Sequence, residues 1–413
     1  MLLALGLLTL PISLLMALKL ARSVQEWRSS RAGYITFGGD DRYQARNVER
    51  SVHDACMVAR VRLDMSAEAF EEVVARVQAN YPAWVRAVEA SIEHRPPAFE
   101  PPLEIRERYE PPRLGDTPLL AKIILCREDR TVVLMGNHVY LGGYLLSQFV
   151  QLVFCGQVSK GVFPRNRYFP VLTEGMILAL FARLLTRPAR VPPRLFEEPS
   201  RLRRLYWKQS LAEIEATAAE LRMNRLYVII ARHIAAVMEH MGRDRLRVTL
   251  PISFEAEDSF NTVGAIFLDV EAAPDFPSLA RRIRNLVQHK RWQVSASNHV
   301  QRIFPTRELS QRARNTVDFT LTTVPQKTLP ENLLAEELVD YEFTMDNIDY
   351  AVYAMAFEFE GFVHTSLMIN SPDFDVAGFQ AAAGARSMDL GIELGSRSRD
   401  EGVSEARRQA EAG

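Results

Sequence analysis

The residues best equipped for chemistry in this chain are Gly136-Asn137-His138-Val139-Tyr140-Leu141-Gly142-Gly143, which directly follow the run Thr131-Val132-Val133-Leu134-Met135. The pattern predicts a buried strand, a histidine at the strand-to-loop junction, and a glycine pair opening a helix over 144–153. A neutral imidazole held there can take a proton from a hydroxyl or amine nucleophile. The neighbouring glycines carry no Cβ and let a substrate come close to the backbone. The competing reading of His138 is a hydrogen-bonded core histidine at a strand end.

Two units are needed to position this stretch, and 413 residues suffice for two cores. Residues 33–165 make the first. Within it, 55–63 reads as a strand and Ser66 as the N-cap of a helix that Tyr81-Pro82 ends. The proline-rich stretch 96–112 reads as loop or edge. Segments 119–126 and 131–135 read as a hairpin around Arg127-Glu128-Asp129-Arg130. Residues 166–204 form a linker, in which 169–188 is either an interfacial helix or a core helix.

The second unit spans 205–392. Helices are predicted over 211–221, 226–241, 278–294, 300–314 and 377–390, from apolar residues at three- and four-residue spacing. Strands are predicted over 247–251, 263–270, 319–324, 351–359 and 362–369, the last two joined over Glu360-Gly361. The polar tail 393–413 reads as disordered.

Composition narrows the function. Net charge is -1, so no global basic field points to nucleic acid as a partner. Local arginine runs such as Arg201-Leu202-Arg203-Arg204 and Arg281-Arg282-Ile283-Arg284 read as solvated helix faces, or else as contacts for anionic lipid or a cofactor phosphate. The three cysteines, Cys56, Cys126 and Cys155, lack CxxC spacing, which argues against a disulfide framework and against zinc. Glu342, Asp346 and Asp349 make a carboxylate-rich loop without histidines at ligand spacing, so no metal is expected.

Residues 1–18 hold no charged side chain. As a helix they would span roughly 27 Å, close to a hydrocarbon core. A cleaved signal peptide and a retained anchor compete. The positive residues Lys19, Arg22, Arg28 and Arg31 follow the apolar run rather than precede it, which favours a single-pass anchor over 1–22 with the catalytic part in the cytoplasm and membrane lipid as a partner.

The stretch 137–143 resembles the His-His-x-x-x-Asp-Gly motif of the chloramphenicol acetyltransferase-like, condensation-domain acyltransferase superfamily. Asn137 stands for the first histidine and Gly142 for the aspartate, while His138 and Gly143 match. Further blocks follow in the family's order and look like its wax ester synthase/diacylglycerol acyltransferase branch. Asn224-Arg225 opens a helix where that branch has Asn-Asp. Leu246-Arg247-Val248-Thr249-Leu250-Pro251-Ile252-Ser253 is similar to its Leu-Arg-x-x-x-Pro-Val-Ser strand. Asn261-Thr262-Val263-Gly264 is similar to its Gly-Asn strand opening. Thr322-Thr323-Val324-Pro325 stands where it has Ser-Asn-Val-Pro. Condensation domains of peptide synthetases share the layout.

The resemblance implies two α/β sandwich lobes with a tunnel between them and His138 at its centre. It implies no bound cofactor or metal, and an acyl thioester co-substrate on coenzyme A or an acyl carrier protein. Asn137, Gly142, Gly143, Ser253, Asn261, Thr322 and Thr323 become candidate substrate contacts, the polar ones able to orient a thioester carbonyl or stabilise an oxyanion. Each polar one has an alternative as a turn or strand-end hydrogen bonder. The expected function is a membrane-anchored acyltransferase acting on a hydroxyl or amine of a lipophilic acceptor. Its rival is a catalytically degenerate member that binds lipid or a protein.

Overall fold

The computed structural model describes residues 56–89, 103–110, 121–137, 203–253, 263–294, 296–297, 316–324, 338–345, 350–359 and 361–388, with Ser13 and Ala17. The chain runs β1 (Cys56–Leu63), α1 (Ala67–Glu89), β2 (Leu103–Arg106), β3 (Ala121–Cys126), β4 (Thr131–Asn137), β5 (Arg203–Ser210), α2 (Leu211–Glu220) and α3 (Arg225–His240). It continues through β6 (Arg245–Ser253), β7 (Val263–Glu271), α4 (Phe276–Lys290), β8 (Phe319–Val324), β9 (Leu338–Met345), β10 (Val352–Phe359), β11 (Phe362–Ile369), α5 (Val376–Ala383) and β12 (Arg386–Ser387).

The first sheet has five strands in the order β2-β3-β4-β1-β9. Its inner strands are apolar on both faces: Ile123, Ile124, Leu125, Val132, Val133 and Leu134 are all buried. β3 and β4 form the predicted antiparallel hairpin, with Cys126 opposite Thr131 and Arg130 at φ 48 in the turn. α1 begins at the expected cap, where Ser66 Oγ accepts from the Ala69 amide at 3.2 Å. It runs through Pro82, where the sequence predicted a stop. Proline removes one hydrogen-bond donor there but sits on the exposed side, while Phe70, Val73, Val74, Val77 and Tyr81 keep one stripe of the helix buried. Arg127 of the hairpin turn donates to Glu71 of α1 at 2.7 Å and ties the two together.

The second sheet has seven strands in the order β12-β5-β11-β10-β8-β6-β7. Its central pairings β10 with β8 and β8 with β6 are parallel; the outer ones are antiparallel. Side chains alternate across such a sheet. One face presents Leu205, Trp207, Val352, Ala354, Val363, Leu367, Phe319, Leu321, Val248 and Ile266 to a core shared with α2–α5. α3 runs at its centre, burying Val228, Ile229, Ile230, Ala231, Ile234 and Val237. The opposite face is mixed, with Thr249, Thr320, Tyr353, Ser366, His364 and Tyr206 all buried.

β9 belongs to the first sheet although it follows β8 of the second. It pairs antiparallel with β1, from Met57 opposite Met345 to Leu63 opposite Leu338. Glu342, expected in a loop, is therefore in a strand opposite Arg60. β9 also approaches β11, so the two sheets meet there.

The anchor expected over 1–22, with the catalytic part in the cytoplasm, is corrected. Among the described residues no helix is long and apolar enough to cross a membrane. The longest described helix, α1, exposes Glu68, Glu71, Glu72 and Arg76, which a hydrocarbon core does not accept. Of residues 1–22 only Ser13 and Ala17 are described. The helix predicted over 300–314, residues 166–202 of the linker with its 169–188 segment, and the tail after 393 lie outside the described residues, while the last two linker residues, Arg203 and Arg204, open β5.

The free edge of β7 is closed by the segment after α4. Gln293 accepts from the Phe267 amide at 2.8 Å and Ser297 from the Ala265 amide at 2.7 Å, while Lys290 donates to the Phe267 carbonyl at 3.1 Å. Gly264 makes this approach possible, since a Cβ there would lie 2.1 Å from the Val294 carbonyl oxygen. Gly264→Ala is expected to push this segment off the edge and destabilise the fold by about 2–3 kcal/mol, read as a lowered denaturant midpoint. An unchanged midpoint would refute this account of the edge.

Candidate functional site

β4 is the middle strand of the first sheet and ends at Asn137, opposite Cys56 of β1. Its neighbours place Gly136, Met57 and Met345 side by side across three strands. From Met345 the chain re-enters the second sheet at Val352, so β4 ends at the same sheet end from which the crossing departs. His138 is the next residue in sequence. His138, Gly142, Gly143 and Asn261 lie outside the described residues, and the backbones of Asn137 and Ser253 close β4 and β6.

Thr322 and Thr323 are adjacent in β8 and so face opposite sides of the second sheet. Thr322 shares the mixed face. Its Oγ1 accepts from the Tyr353 hydroxyl at 3.1 Å, which leaves its own proton for a further acceptor. Beside it, the paired Thr249 and Thr320 place two buried hydroxyls that have no hydrogen-bond partner among the described residues. Further along the face, the Tyr206 hydroxyl bonds His364 Nδ1 at 2.5 Å, and His364 stacks on Phe357 with ring centroids 5.1 Å apart.

Thr323 faces the helices and lines a cleft of about 490 Å³ with Asn224, Arg225, Leu226, Ile229, Glu215, Glu358 and Val363. Asn224, the first residue of the Asn-Asp-like block, is the N-cap of α3, accepting from the Leu226 amide at 2.8 Å. Arg225 grips Glu358 through two bonds of 3.2 and 2.6 Å and reaches Glu215 at 2.8 Å. Sequence reasoning did not single out Glu215 or Glu358, because their pairing joins α2, α3 and β10.

Two other polar groups have structural explanations. Asp318 accepts from Arg243 at 2.5 Å and from the Arg247 amide at 2.8 Å. His233, missed in the sequence, is fully committed: its Nδ1 donates to the Ile229 carbonyl at 2.7 Å and its Nε2 accepts from Thr365 at 2.8 Å. His289 is exposed. Among the described residues no group of three or more His, Cys, Asp or Glu is arranged to hold a metal ion.

No protein-family model and no curated protein matches the chain. Solved structures do. A nonribosomal peptide synthetase bound to alpha-methyl-L-serine-AMP aligns with 84% of this chain and 44% of its own length, at 13% identity and a TM-score of 0.53. Polyketide synthase associated protein 5 from Mycobacterium tuberculosis aligns with 82% of this chain and 94% of its own, at 13% identity and a TM-score of 0.51. The epimerization domain from the third module of tyrocidine synthetase B aligns with 91% and 96%, at 10% identity and a TM-score of 0.50. The chain shares a mixed α/β fold with these three structures. At such identities the likeness carries the architecture and leaves the activity to be argued from residues.

Burial pushes the His233 imidazole down to about 4 from its ordinary 6.5. The unfolded chain therefore binds more protons than the folded one between those values. The contribution of His233 to stability is fully present above about pH 6.5, is lost as pH falls towards 4, and changes no further below it. The full effect is about 3 kcal/mol at most. In urea titrations at successive pH values, His233→Gln is expected to lack this part of the slope; parallel curves for parent and variant would refute it.

Proposed function

We propose that the chain is an acyltransferase that moves an acyl group from a thioester to a hydroxyl or amine, with His138 as general base. The observation that carries this reading is that β4, the middle strand of the first sheet, ends one residue before His138 at the sheet end where the chain crosses to the second sheet. The condensation-domain-like fold and the ordered sequence blocks support it. The wax ester synthase-like branch rests on those blocks alone.

In this reading the imidazole removes the acceptor's proton as its oxygen or nitrogen attacks the thioester carbonyl. The tetrahedral intermediate collapses with cleavage of the carbon–sulfur bond, and the imidazolium returns the proton to the leaving thiolate. The donor is carried on coenzyme A or on a carrier protein, in a tunnel between the lobes 33–165 and 205–392. Thr322, with its proton released for donation by the Tyr353 bond, is the described group best suited to an oxyanion or thioester carbonyl. Asn137, Gly142, Gly143, Ser253 and Asn261 remain proposed contacts. Thr323 belongs to the helix-side cleft and is proposed as a substrate contact there.

One observation favours a second reading, a binding member without turnover. Where the family has aspartate in its Asn-Asp block, Arg225 inverts the charge and is taken up by Glu358 and Glu215. The two readings separate in one assay. Thiol release is followed with acyl-coenzyme A and acyl-carrier thioesters in the presence of alcohol or amine acceptors. The enzyme reading expects His138→Ala to lower the rate by about 10²–10⁴-fold. Equal rates in parent and variant would remove His138 as the base, and thioester binding without thiol release by the parent would establish the second reading.

A further inference from the structure

On the mixed face of the second sheet, Thr322 of β8 and Met355 of β10 lie directly opposite each other and are half-buried. Thr320, Tyr353 and Met368 beside them are buried. A molecule on this face can therefore touch Thr322 but not the Tyr353 ring.

Tyr353 is fixed from two sides. Its ring lies beside Tyr350 with centroids 5.2 Å apart, and Met368, its partner in β11, is buried against it. The phenol extends diagonally to β8 and donates to Thr322 Oγ1 at 3.1 Å. A phenol is the better donor of the two hydroxyls, so chemistry sets the direction of this bond. The residue directly opposite Tyr353 is Thr320, which is 1% exposed and has no hydrogen-bond partner among the described residues. Stability alone would place a donor on that buried hydroxyl, because leaving it unsatisfied is costly. The bond is made instead to Thr322, whose half-buried hydroxyl water can reach. What the bond fixes there is direction. An alkyl hydroxyl rotates among staggered positions, and one that accepts from Tyr353 turns its own proton away from it.

We propose that Tyr353 is a positioning residue for acyl transfer: by holding the Thr322 oxygen, it points the Thr322 proton at the carbonyl oxygen of the thioester. The inference rests on the acyl-transfer reading. As the acceptor's oxygen or nitrogen bonds to the carbonyl carbon, the carbonyl π pair moves onto its oxygen. The Thr322 O–H donates a hydrogen bond to that oxyanion without giving up its proton, and the pair returns as the carbon–sulfur bond breaks. Tyr353 touches neither donor nor acceptor.

Steady-state thiol release by the full chain tests it, with the acyl thioester and acceptor that the parent turns over. Tyr353→Phe keeps the ring and its packing and removes only the donor. It is expected to lower kcat about three- to tenfold, the size of one hydrogen bond, with KM unchanged. Thr322→Val is expected to lower kcat about 10²-fold. Adding Tyr353→Phe to it is expected to bring no further loss, since Tyr353 acts only through that hydroxyl. Thr320→Val, which removes the neighbouring hydroxyl, is expected to leave kcat at the parent value. The inference is overturned if Tyr353→Phe matches the parent, if its effect lies in KM, if the two losses multiply in the double variant, or if Thr320→Val lowers kcat as much. A parent that releases no thiol removes the acyl-transfer reading and this inference together. A parent that turns over beside an equally active Tyr353→Phe removes the inference alone.

Discussion

The pairing of β9 with β1 is the constraint on which the rest of the molecule depends. β1 has two edges; β4 takes one from nearby in sequence, and β9 takes the other from far along the chain. Without β9 that edge of β1 would present unpaired amides and carbonyls. With it, the chain must leave the second sheet after β8, complete the first, and return at β10. That route ties two sheets with separate cores into one fold and brings β9 up to β11. Closing so long a loop has an entropic cost that later contacts must offset, so the pairing is a late event in any stepwise assembly.

The second sheet divides its labour by face. Alternation gives α2–α5 a continuous apolar surface, and His233 is tolerated inside it only because both ring nitrogens are bonded. The other face concentrates Tyr206, His364, Ser366, Thr322, Tyr353, Thr320 and Thr249. A buried row of hydroxyls and an imidazole is poor core material. The split also separates Thr322 from Thr323, so the two threonines of one motif serve different surfaces.

What was legible in the sequence was local. The hairpins 121–137 and 352–369 announce themselves by apolar runs around short polar turns, and α3 by its three- and four-residue spacing. Their registers need no distant partner. β5 was not read, because Leu205, Tyr206 and Trp207 are buried on both faces and show no alternation. β9 was hidden by its charges, although Asp340-Tyr341-Glu342-Phe343-Thr344-Met345 does alternate polar with apolar. α1 outlasted Pro82 because a buried stripe outweighs one lost hydrogen bond. At the site, the end of β4 could be foreseen. The Arg225–Glu358–Glu215 cluster could not, since it exists only once three elements are packed together. The apolar stretch 1–18 shows the limit of composition: absence of charge permits a span but does not require one.

Arg225 also shows how a motif position can be rebuilt without losing its architecture. As the first residue of α3 it sits at the positive end of the helix dipole, where a cation is disfavoured and a carboxylate welcome. Glu358, largely buried, answers both problems: it neutralises the guanidinium and places negative charge near the helix start. A lone arginine there would repel the dipole, and a lone Glu358 would be a buried charge without a partner. The two residues are therefore interdependent, and Glu215, which is far more exposed, is the one the fold can spare. Glu215's second oxygen is left to the cleft because the structural demand was already met by Glu358.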